Sequence, residues 1–403
     1  LDYLDDLTDA EFPQWILTSD FKHFRLTDLL SSKTIEFALD ELPAHVEDLQ
    51  FLAGYQVRQF GDKAQAEATI KAAGIMAGLY EMLAKAGYPE HHAGIFLVRL
   101  LFALYADDAG VWERGLFEEY IIERTTEDGS DVGGQIANFF QVVNTPESDR
   151  QITQDALIQR FPYVNGGIFA DEIRIAAFNK PMRDRLLEAC AFNWSSISPA
   201  IFGSLFQAVK DPQARRELGE HYTTEENILK TINPLFMDAL NERLDRNWHS
   251  IPGLKRLRKD LGKMRFLDPA CGSGNFLVIA YREMRALDLK ILTRLQDLGD
   301  TSEIPALFFT KADLPVTLDH FAGIEIEEWP ARIAQTALHL ADHQANQRME
   351  LALGKAPEPL PLDKVETIHV SNALRTPWES IFMPTPDVYI MGNPPFIGQS
   401  LKD

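Results

Sequence analysis

The second half of this 403-residue chain predicts an α/β domain with a mainly parallel sheet, and an α-helical region precedes it. Apolar strand-like segments alternate with segments of helical period from about residue 264 onward, as in parallel sheets. Two of those strands end in loops of distinctive composition, a glycine-rich one at 268–276 and a proline-containing one at 393–396. Parallel sheets bind ligands outside the carboxyl ends of their strands, so we expect both loops to line one crevice.

Composition indicates an ordinary globular protein of two or three domains, because 45% of residues are hydrophobic and 25% are charged. The two cysteines, Cys190 and Cys271, offer no disulfide framework and no metal spacing, which favours a reducing, cytoplasmic location. The most apolar run, residues 95–105, is interrupted by Arg99 and is too short to span a bilayer. We therefore predict no membrane association and no metal site.

The net charge of −21 is unusual for a protein that binds nucleic acid, since such proteins generally present a basic face. Basic residues do cluster at 255–265, immediately before the glycine-rich loop. A solvated helix surface and a track for DNA phosphates explain this cluster about equally well. Acidity therefore argues against DNA binding by this segment alone, but not by a protein whose DNA-reading part lies elsewhere.

Patterning along the chain predicts three regions. Residues 1–45 hold two strands, at 12–18 and 24–28, and are too few to form a domain, so we expect the tail of an upstream one. Residues 46–190 read as helical, with helices over 64–86 and 95–105. Residues 191–403 hold the first part of the α/β domain. Because the sequence starts at Leu1 rather than methionine, we expect it to belong to a longer chain.

The glycine-rich loop joins a strand at 264–267 to a helix that starts at Asn275. Gly272 and Gly274 allow a sharp turn and a close approach of the backbone to a ligand. A dinucleotide fingerprint would place a third glycine where Leu277 stands, and a phosphate-binding loop would need a lysine. A glycine turn in some other α/β enzyme remains the alternative at this point.

The sequence Asp-Pro-Ala-Cys-Gly-Ser-Gly at 268–274 resembles the S-adenosylmethionine loop of class I methyltransferases, in the form typical of DNA adenine methyltransferases. The resemblance implies a Rossmann-like class I methyltransferase fold. It also implies that Asp268 lies near the charged amino group of the cofactor. The remaining cofactor-binding positions that it implies in this loop are Ala270, Gly272, Gly274, Asn275 and Phe276.

An acidic residue, Glu325, ends the next predicted strand at 318–325. In dinucleotide-binding folds an acid at this place accepts hydrogen bonds from ribose hydroxyls, so we assign Glu325 and the adjacent Ile326 to the cofactor site. A solvent-exposed carboxylate is a serious alternative, because Glu327 and Glu328 follow directly. Two further strands are predicted at 365–370 and 387–392, with Asn372 just after the first.

The second loop, Asn393-Pro394-Pro395-Phe396, carries the more specific chemistry. An exocyclic amine conjugated to a base ring is a poor nucleophile. Hydrogen bonds from its two protons to the Asn393 side-chain oxygen and the Pro394 carbonyl would free its lone pair to attack a methyl group. Phe396 would stack on a base that has left the duplex. A plain Asn-Pro-Pro turn explains the loop alone, but its pairing with the glycine-rich loop favours a methyltransferase.

The order of these motifs resembles the γ-class adenine-N(6) DNA methyltransferases. In that class a Tyr-Thr loop precedes the glycine-rich loop and helps to hold the cofactor, which implies this role for Tyr222 and Thr223. Asn372 stands where many relatives carry an aspartate that binds the adenine amine of the cofactor, so that contact is weakened here.

Flanking phrases at 163–169, 198–203 and 221–223 resemble the MmeI-like (type IIL) single-chain restriction–modification proteins. The resemblance implies a nuclease, a helical spacer, a methyltransferase and a carboxy-terminal recognition domain, and hence a phage-defence role with double-stranded DNA as partner. The Glu-x-Lys signature of the nuclease is missing from this sequence, so we expect only the nuclease tail at 1–45. We expect a truncated sheet, with DNA recognition mainly by a domain beyond residue 403.

Two other functions remain open at this stage. Asn-Pro-Pro loops also serve methyl transfer to the side-chain amide of a glutamine in a protein. A non-catalytic scaffold that binds the cofactor or a partner is the third hypothesis, although it would not need an intact Asn-Pro-Pro-Phe loop. The sequence specifies neither the recognition site, nor DNA cleavage by the full-length protein, nor the oligomeric state.

Overall fold

The computed structural model describes residues 15–28, 33–42, 45, 49, 62–151, 155–164, 168–194, 197, 225–305, 309–357 and 367–394. The chain divides into two compact units, Leu1–Thr69 and Ile70–Asp403. Within the described part, every helix is too short or too polar to cross a membrane.

The first unit holds a three-stranded antiparallel sheet in the order β1-β2-β3, made of Trp15–Ser19, His23–Asp28 and Lys33–Ala38. The first two strands were predicted, whereas β3 was not. Leu26 and Phe37 are nearly fully buried on one side of the sheet. On the exposed side, Arg25 and Glu36 are cross-strand partners and form an ion pair of 3.3 Å.

A helical region opens the second unit, as the sequence predicts, and its core is aromatic. The rings of Trp112, Phe117, Tyr120 and Phe161 all pack around Phe139, with centroids 4.8–6.5 Å apart. The helices are α1 (Asp62–Lys85), α2 (Glu90–Ala109), α3 (Leu116–Arg124), α4 (Val132–Val143) and α5 (Lys180–Cys190).

A four-stranded parallel sheet forms the centre of the following α/β part. This arrangement confirms the predicted fold class of a helical region followed by a Rossmann-like domain. Aromatic stacking between neighbouring strands stabilises the sheet, because the ring of Phe266 stacks on those of Phe321 and Tyr389, with centroids 4.7 Å and 5.7 Å apart. The strands are β4 (Arg265–Asp268), β5 (Phe321–Glu325), β6 (Ile368–Val370) and β7 (Val388–Ile390). Their order in the sheet is β6-β5-β4-β7.

Two long helices flank the sheet, α9 (Asn275–Asp297) and α10 (Glu328–Leu353), and they pack against each other. A buried polar network joins them, since Arg285 donates to Asp342 at 2.9 Å and to Asn346 at 2.7 Å. Three helices precede β4: α6 (Glu225–Ile232), α7 (Asp238–Arg246) and α8 (Ile251–Leu261). A π-helical turn (Asn233–Met237) joins α6 to α7 without a break.

Helix α10 also contacts the helical region. His343 and Gln347 both hydrogen-bond the carbonyl oxygen of Ala109, the last residue of α2. At the start of α10, Arg332 forms ion pairs with Glu328 and with Asp171. These contacts fix the helical region against the α/β part within the second unit.

Two residues of the basic cluster at 255–265 are engaged within the protein, whereas others of the cluster are exposed. Arg258 is buried and donates to Asp288 and to Glu303, each at 2.8 Å. Lys255 forms an ion pair of 2.7 Å with Asp300. Both residues therefore pair with carboxylates of the same chain, as expected of a structural helix rather than of a phosphate track.

Candidate functional site

The glycine turn lies between the end of β4 at Asp268 and the start of α9 at Asn275. Gly272 and Gly274 have φ angles of +53° and +82°, which favour glycine. A Cβ on Gly274 would lie 2.8 Å from the Cβ of Ala334 in α10, whereas one on Gly272 would meet no atom of the described residues within 4 Å. Gly274 thus serves close packing between the helices, and the described residues leave open space beside Gly272.

The Asp268 carboxyl group is buried at the end of β4, with 1% of the residue exposed. Its Oδ1 accepts a hydrogen bond of 3.0 Å from the backbone nitrogen of Ala270. Burial, together with a smaller effect of the nearby Glu325 charge, raises the pKa of Asp268 to about 7. A cation placed beside this carboxyl would lower that pKa again.

Glu325 links the end of β5 to the glycine turn. Its Oε2 accepts a hydrogen bond of 2.9 Å from the backbone nitrogen of Gly272, and its Oε1 accepts one of 2.9 Å from that of Glu327. The carboxylate is therefore an ordered part of the turn rather than a group standing free in solvent. Ile326, the next residue, is 65% exposed beside it.

The first turn of α9 holds a buried acceptor without a partner. Within the described residues, Oδ1 of Asn275 is buried and makes no hydrogen bond. Such atoms are rare in folded proteins, and each marks a place where a donor fits. The next side chain, Phe276, is only 9% exposed.

The Asn-Pro-Pro loop leaves the sheet next to the glycine turn, because β7 is the parallel neighbour of β4. The backbone nitrogen of Met391 donates to the carbonyl oxygen of Leu267 at 3.0 Å, which continues the strand pairing. Gly392 then passes so close to Asp268 that a Cβ on it would lie 2.3 Å from Oδ1. Asn393 follows directly and is exposed, as is Pro394. The two predicted motifs therefore meet at one sheet edge.

Asn372 lies just beyond β6, on the other side of β5. The backbone nitrogen of Ser371 donates to the carbonyl oxygen of Glu325 at 2.8 Å, which brings this turn beside the acidic residue. Oδ1 of Asn372 already accepts a hydrogen bond of 2.9 Å from the backbone nitrogen of Leu374.

Four candidate residues, Tyr222, Thr223, Pro395 and Phe396, lie outside the described residues. Conversely, the structure adds Gly392, which the sequence analysis did not single out. A glycine at the end of a strand and directly before a functional loop was the available signal, because such glycines often mark a close approach.

Three family models match successive parts of the chain. Residues 1–86 match the model "MmeI, N-terminal domain", residues 91–169 match "MmeI, helicase spacer domain", and residues 242–403 match "MmeI, DNA-methyltransferase domain". The three matches follow one another in this order and cover most of the sequence.

Two individual proteins that are similar to this chain are also methyltransferases by name. DNA methyltransferase A of Bacillus subtilis (strain 168) is 35% identical over 399 residues, which are 97% of this chain and 44% of that protein. A putative type II restriction enzyme and methyltransferase of Methanocaldococcus jannaschii is 25% identical over 319 residues, 65% of this chain and 26% of that protein.

A solved structure is also similar, that of the type IIL restriction-modification enzyme MmeI in complex with DNA. Its TM-score is 0.73 at 44% sequence identity, and the match covers 82% of this chain and 44% of that one. The chain spans less than half the length of each of these relatives.

Proposed function

The chain belongs to the MmeI-like family of DNA methyltransferases, and from this premise we propose that it forms the cofactor-binding and catalytic part of an adenine-N(6) DNA methyltransferase in a restriction–modification protein. One observation carries the proposal. The glycine turn after β4 and the Asn393 loop after β7 leave adjacent parallel strands at the same edge. A methyl donor and an amine acceptor need such an arrangement, since direct displacement requires both in one pocket.

The residues at the glycine turn suit S-adenosylmethionine, which when bound supplies a sulfonium methyl group that an amine nitrogen can attack, with the thioether sulfur as the leaving group. Among the described residues, no atom lies within 4 Å of the place that a Cβ on Gly272 would take, which leaves room for a ligand, and none donates to the buried Oδ1 of Asn275. The Asp268 carboxyl, whose pKa is raised by burial, would be ionised by the amino group of the methionine moiety. We assign Ala270 and Phe276 to the same surface.

Glu325 would bind the ribose of the same ligand. Its carboxylate is held beside the turn by two backbone donors, and each oxygen retains a second lone pair for a ribose hydroxyl. The exposed Ile326 offers an apolar face next to it for the adenine of the cofactor. Asn372 bounds this end of the site, and we assign Tyr222 and Thr223 to cofactor binding on the family pattern.

Asn393 would act on the target base. Its side-chain oxygen and the carbonyl oxygen of Pro394 accept the two protons of an exocyclic amine, which withdraws the lone pair from the ring. Because both residues are exposed, a base that has left its duplex can reach them. Pro395 stiffens the loop and Phe396 stacks on the base in this proposal.

Double-stranded DNA is the proposed substrate, on the precedent of the similar MmeI structure, which contains DNA. The net charge is −21 and Arg258 of the basic cluster is paired internally with Asp288, so we assign most DNA contacts to other parts of the complete protein.

The test supplies the complete protein with tritiated S-adenosylmethionine and unmethylated DNA, followed by digestion and chromatography of the nucleosides. We expect label in N6-methyl-2'-deoxyadenosine. Label in protein glutamine, or in no product while the cofactor still binds, would replace the proposal by a protein methyltransferase or by a binding scaffold.

A further inference from the structure

Gly392 lies against the Asp268 carboxyl, and this contact joins the two halves of the proposed active site. A Cβ on Gly392 would lie 2.3 Å from Oδ1, 2.8 Å from Cγ and 3.2 Å from Oδ2 of Asp268. Real Cβ atoms do not approach other atoms below 3.0 Å. No residue but glycine fits there without displacement of the carboxyl group or of the loop.

The backbone conformation of Gly392 also favours glycine at this position. Its φ angle is +151°, in a region that residues with a side chain rarely adopt. The strand pairing upstream is regular, since Met391 still donates to Leu267 at 3.0 Å. The chain therefore leaves the regular ladder at Gly392, one residue before Asn393.

Asp268 does not yield freely to a side chain at position 392, because the carboxyl oxygen nearest to Gly392 is already engaged in a hydrogen bond. The Oδ1 atom that faces Gly392 also accepts the hydrogen bond from Ala270, within the glycine turn. With 1% of the residue exposed, the carboxyl is enclosed by protein and does not face solvent into which it could rotate. A displacement of the carboxyl would therefore move the glycine turn, and a displacement of Gly392 would move Asn393.

We propose that Gly392 is a positioning residue, which sets the distance between Asn393 and the glycine turn through its contact with the Asp268 carboxyl. The inference rests on the proposed methyl transfer but adds a residue to it. Gly392 offers no functional group to substrate or cofactor. It acts by letting two backbone segments approach, and misplacement of a reacting group by about 1 Å costs on the order of 100-fold in rate.

A double-mutant cycle between the two residues tests the contact in the complete protein. Gly392→Ala should lower the single-turnover rate of methyl transfer at saturating S-adenosylmethionine by about 100-fold. In an Asp268→Ala background, where the obstructing atoms are gone, the same substitution should cost less than about one tenth of that factor. Equal losses in both backgrounds would assign the effect to backbone strain at Gly392, and no loss in either would remove its role.

Thermal unfolding of the same four proteins provides a readout that needs no turnover. Gly392→Ala should lower the midpoint temperature more in the wild-type background than in the Asp268→Ala background. If Gly392→Ala alone fails to fold, recovery of folding in the double variant supports the contact, and failure of both contradicts it. Should the wild type transfer no methyl group to DNA, the proposed function fails, whereas the unfolding cycle still decides whether the contact exists.

Gly299→Ala serves as a control for the effect of an alanine at a positive φ. Gly299 has a φ angle of +81°, and a Cβ there meets no atom within 4 Å. It follows α9 and lies outside the proposed site, so we expect the methyl-transfer rate of this variant to stay within about twofold of the wild type. A loss at Gly299 comparable to that at Gly392 would overturn the specific role of the Asp268 contact.

Discussion

The backbone nitrogen of Gly272 donates a hydrogen bond of 2.9 Å to Oε2 of Glu325, which ties the glycine turn after β4 to the acidic end of β5. The two residues lie 53 positions apart in the sequence. This bond orients the carboxylate before a ligand arrives, so less ordering is required on binding.

The first prediction concerns this carboxylate. Glu325→Ala should weaken S-adenosylmethionine binding by about 10-fold to 100-fold, because hydrogen bonds to a charged group contribute about 1.5–3 kcal/mol. Isothermal titration calorimetry with the complete protein measures the effect. Glu327→Ala is the matched control, since only the backbone nitrogen of Glu327 is known to contact the site. Equal affinities for the two variants would remove Glu325 from the cofactor site.

A second prediction compares two glycines of nearly equal φ. Gly274 has +82° and Gly299 has +81°, but only at Gly274 would a Cβ meet a neighbour, Ala334, at 2.8 Å. Alanine should cost about 1–2 kcal/mol of unfolding free energy at Gly299 for its left-handed conformation. Overpacking against α10 should add about 1–3 kcal/mol at Gly274. Denaturant titration of both variants measures the difference, and identical midpoints would contradict the close packing of α9 on α10.

The third prediction is a pH dependence that arises from Asp268. Burial raises its pKa to about 7 from an ordinary value of 3.8. Between these values the folded protein holds a proton that the unfolded chain has released, so this group makes stability fall as pH rises from about 4 to about 7. Above pH 7 its contribution is constant.

Asp268→Asn should remove that slope. Without cofactor, the stability of this variant relative to the wild type should increase from pH 4 to pH 7 and then level off, as measured by denaturant titration at several pH values. A constant difference between Asp268→Asn and the wild type at all pH values would argue against a raised pKa.

A fourth prediction separates structural from DNA-binding roles in the basic cluster. Arg258→Met leaves Asp288 buried without its 2.8 Å partner, so we expect a loss of about 3–5 kcal/mol in unfolding free energy. Lys259→Met, at an exposed position of the same helix, should change it by less than about 0.5 kcal/mol. Equal stability of the two variants would mean that the Arg258 pair is dispensable, and the phosphate-track interpretation would regain support.

Local patterns were sufficient to predict the strand, glycine turn and helix around Gly272, because backbone freedom and apolar spacing depend on neighbouring residues. The alternation of strands and helices likewise predicted the parallel sheet. The predicted strand at 318–325 was too long, since residues Leu318–His320 form a 3-10 turn and β5 starts at Phe321. Strand β3 was missed, although Ile35 and Phe37 alternate there with polar residues as expected of a strand.

Contacts between distant segments could not be predicted in the same way. The burial of Arg258 depends on Asp288 and Glu303, which come from other elements. The approach of Gly392 to Asp268 depends on the pairing of β4 with β7, strands about 120 residues apart that could have been separated by another strand. Sequence patterns thus predicted which motifs would share an edge, whereas their atomic spacing required the fold.

The most direct measurement is the single-turnover transfer of tritium from S-adenosylmethionine to DNA by the complete protein, with wild type and Asn393→Ala compared side by side. Calorimetry with the cofactor runs in parallel, because Asn393 belongs to the proposed base site rather than to the cofactor site. We predict a loss of labelling by at least about 100-fold, with cofactor affinity within a few-fold of the wild type. Equal labelling of DNA by both proteins would contradict the proposed role of the Asn393 loop.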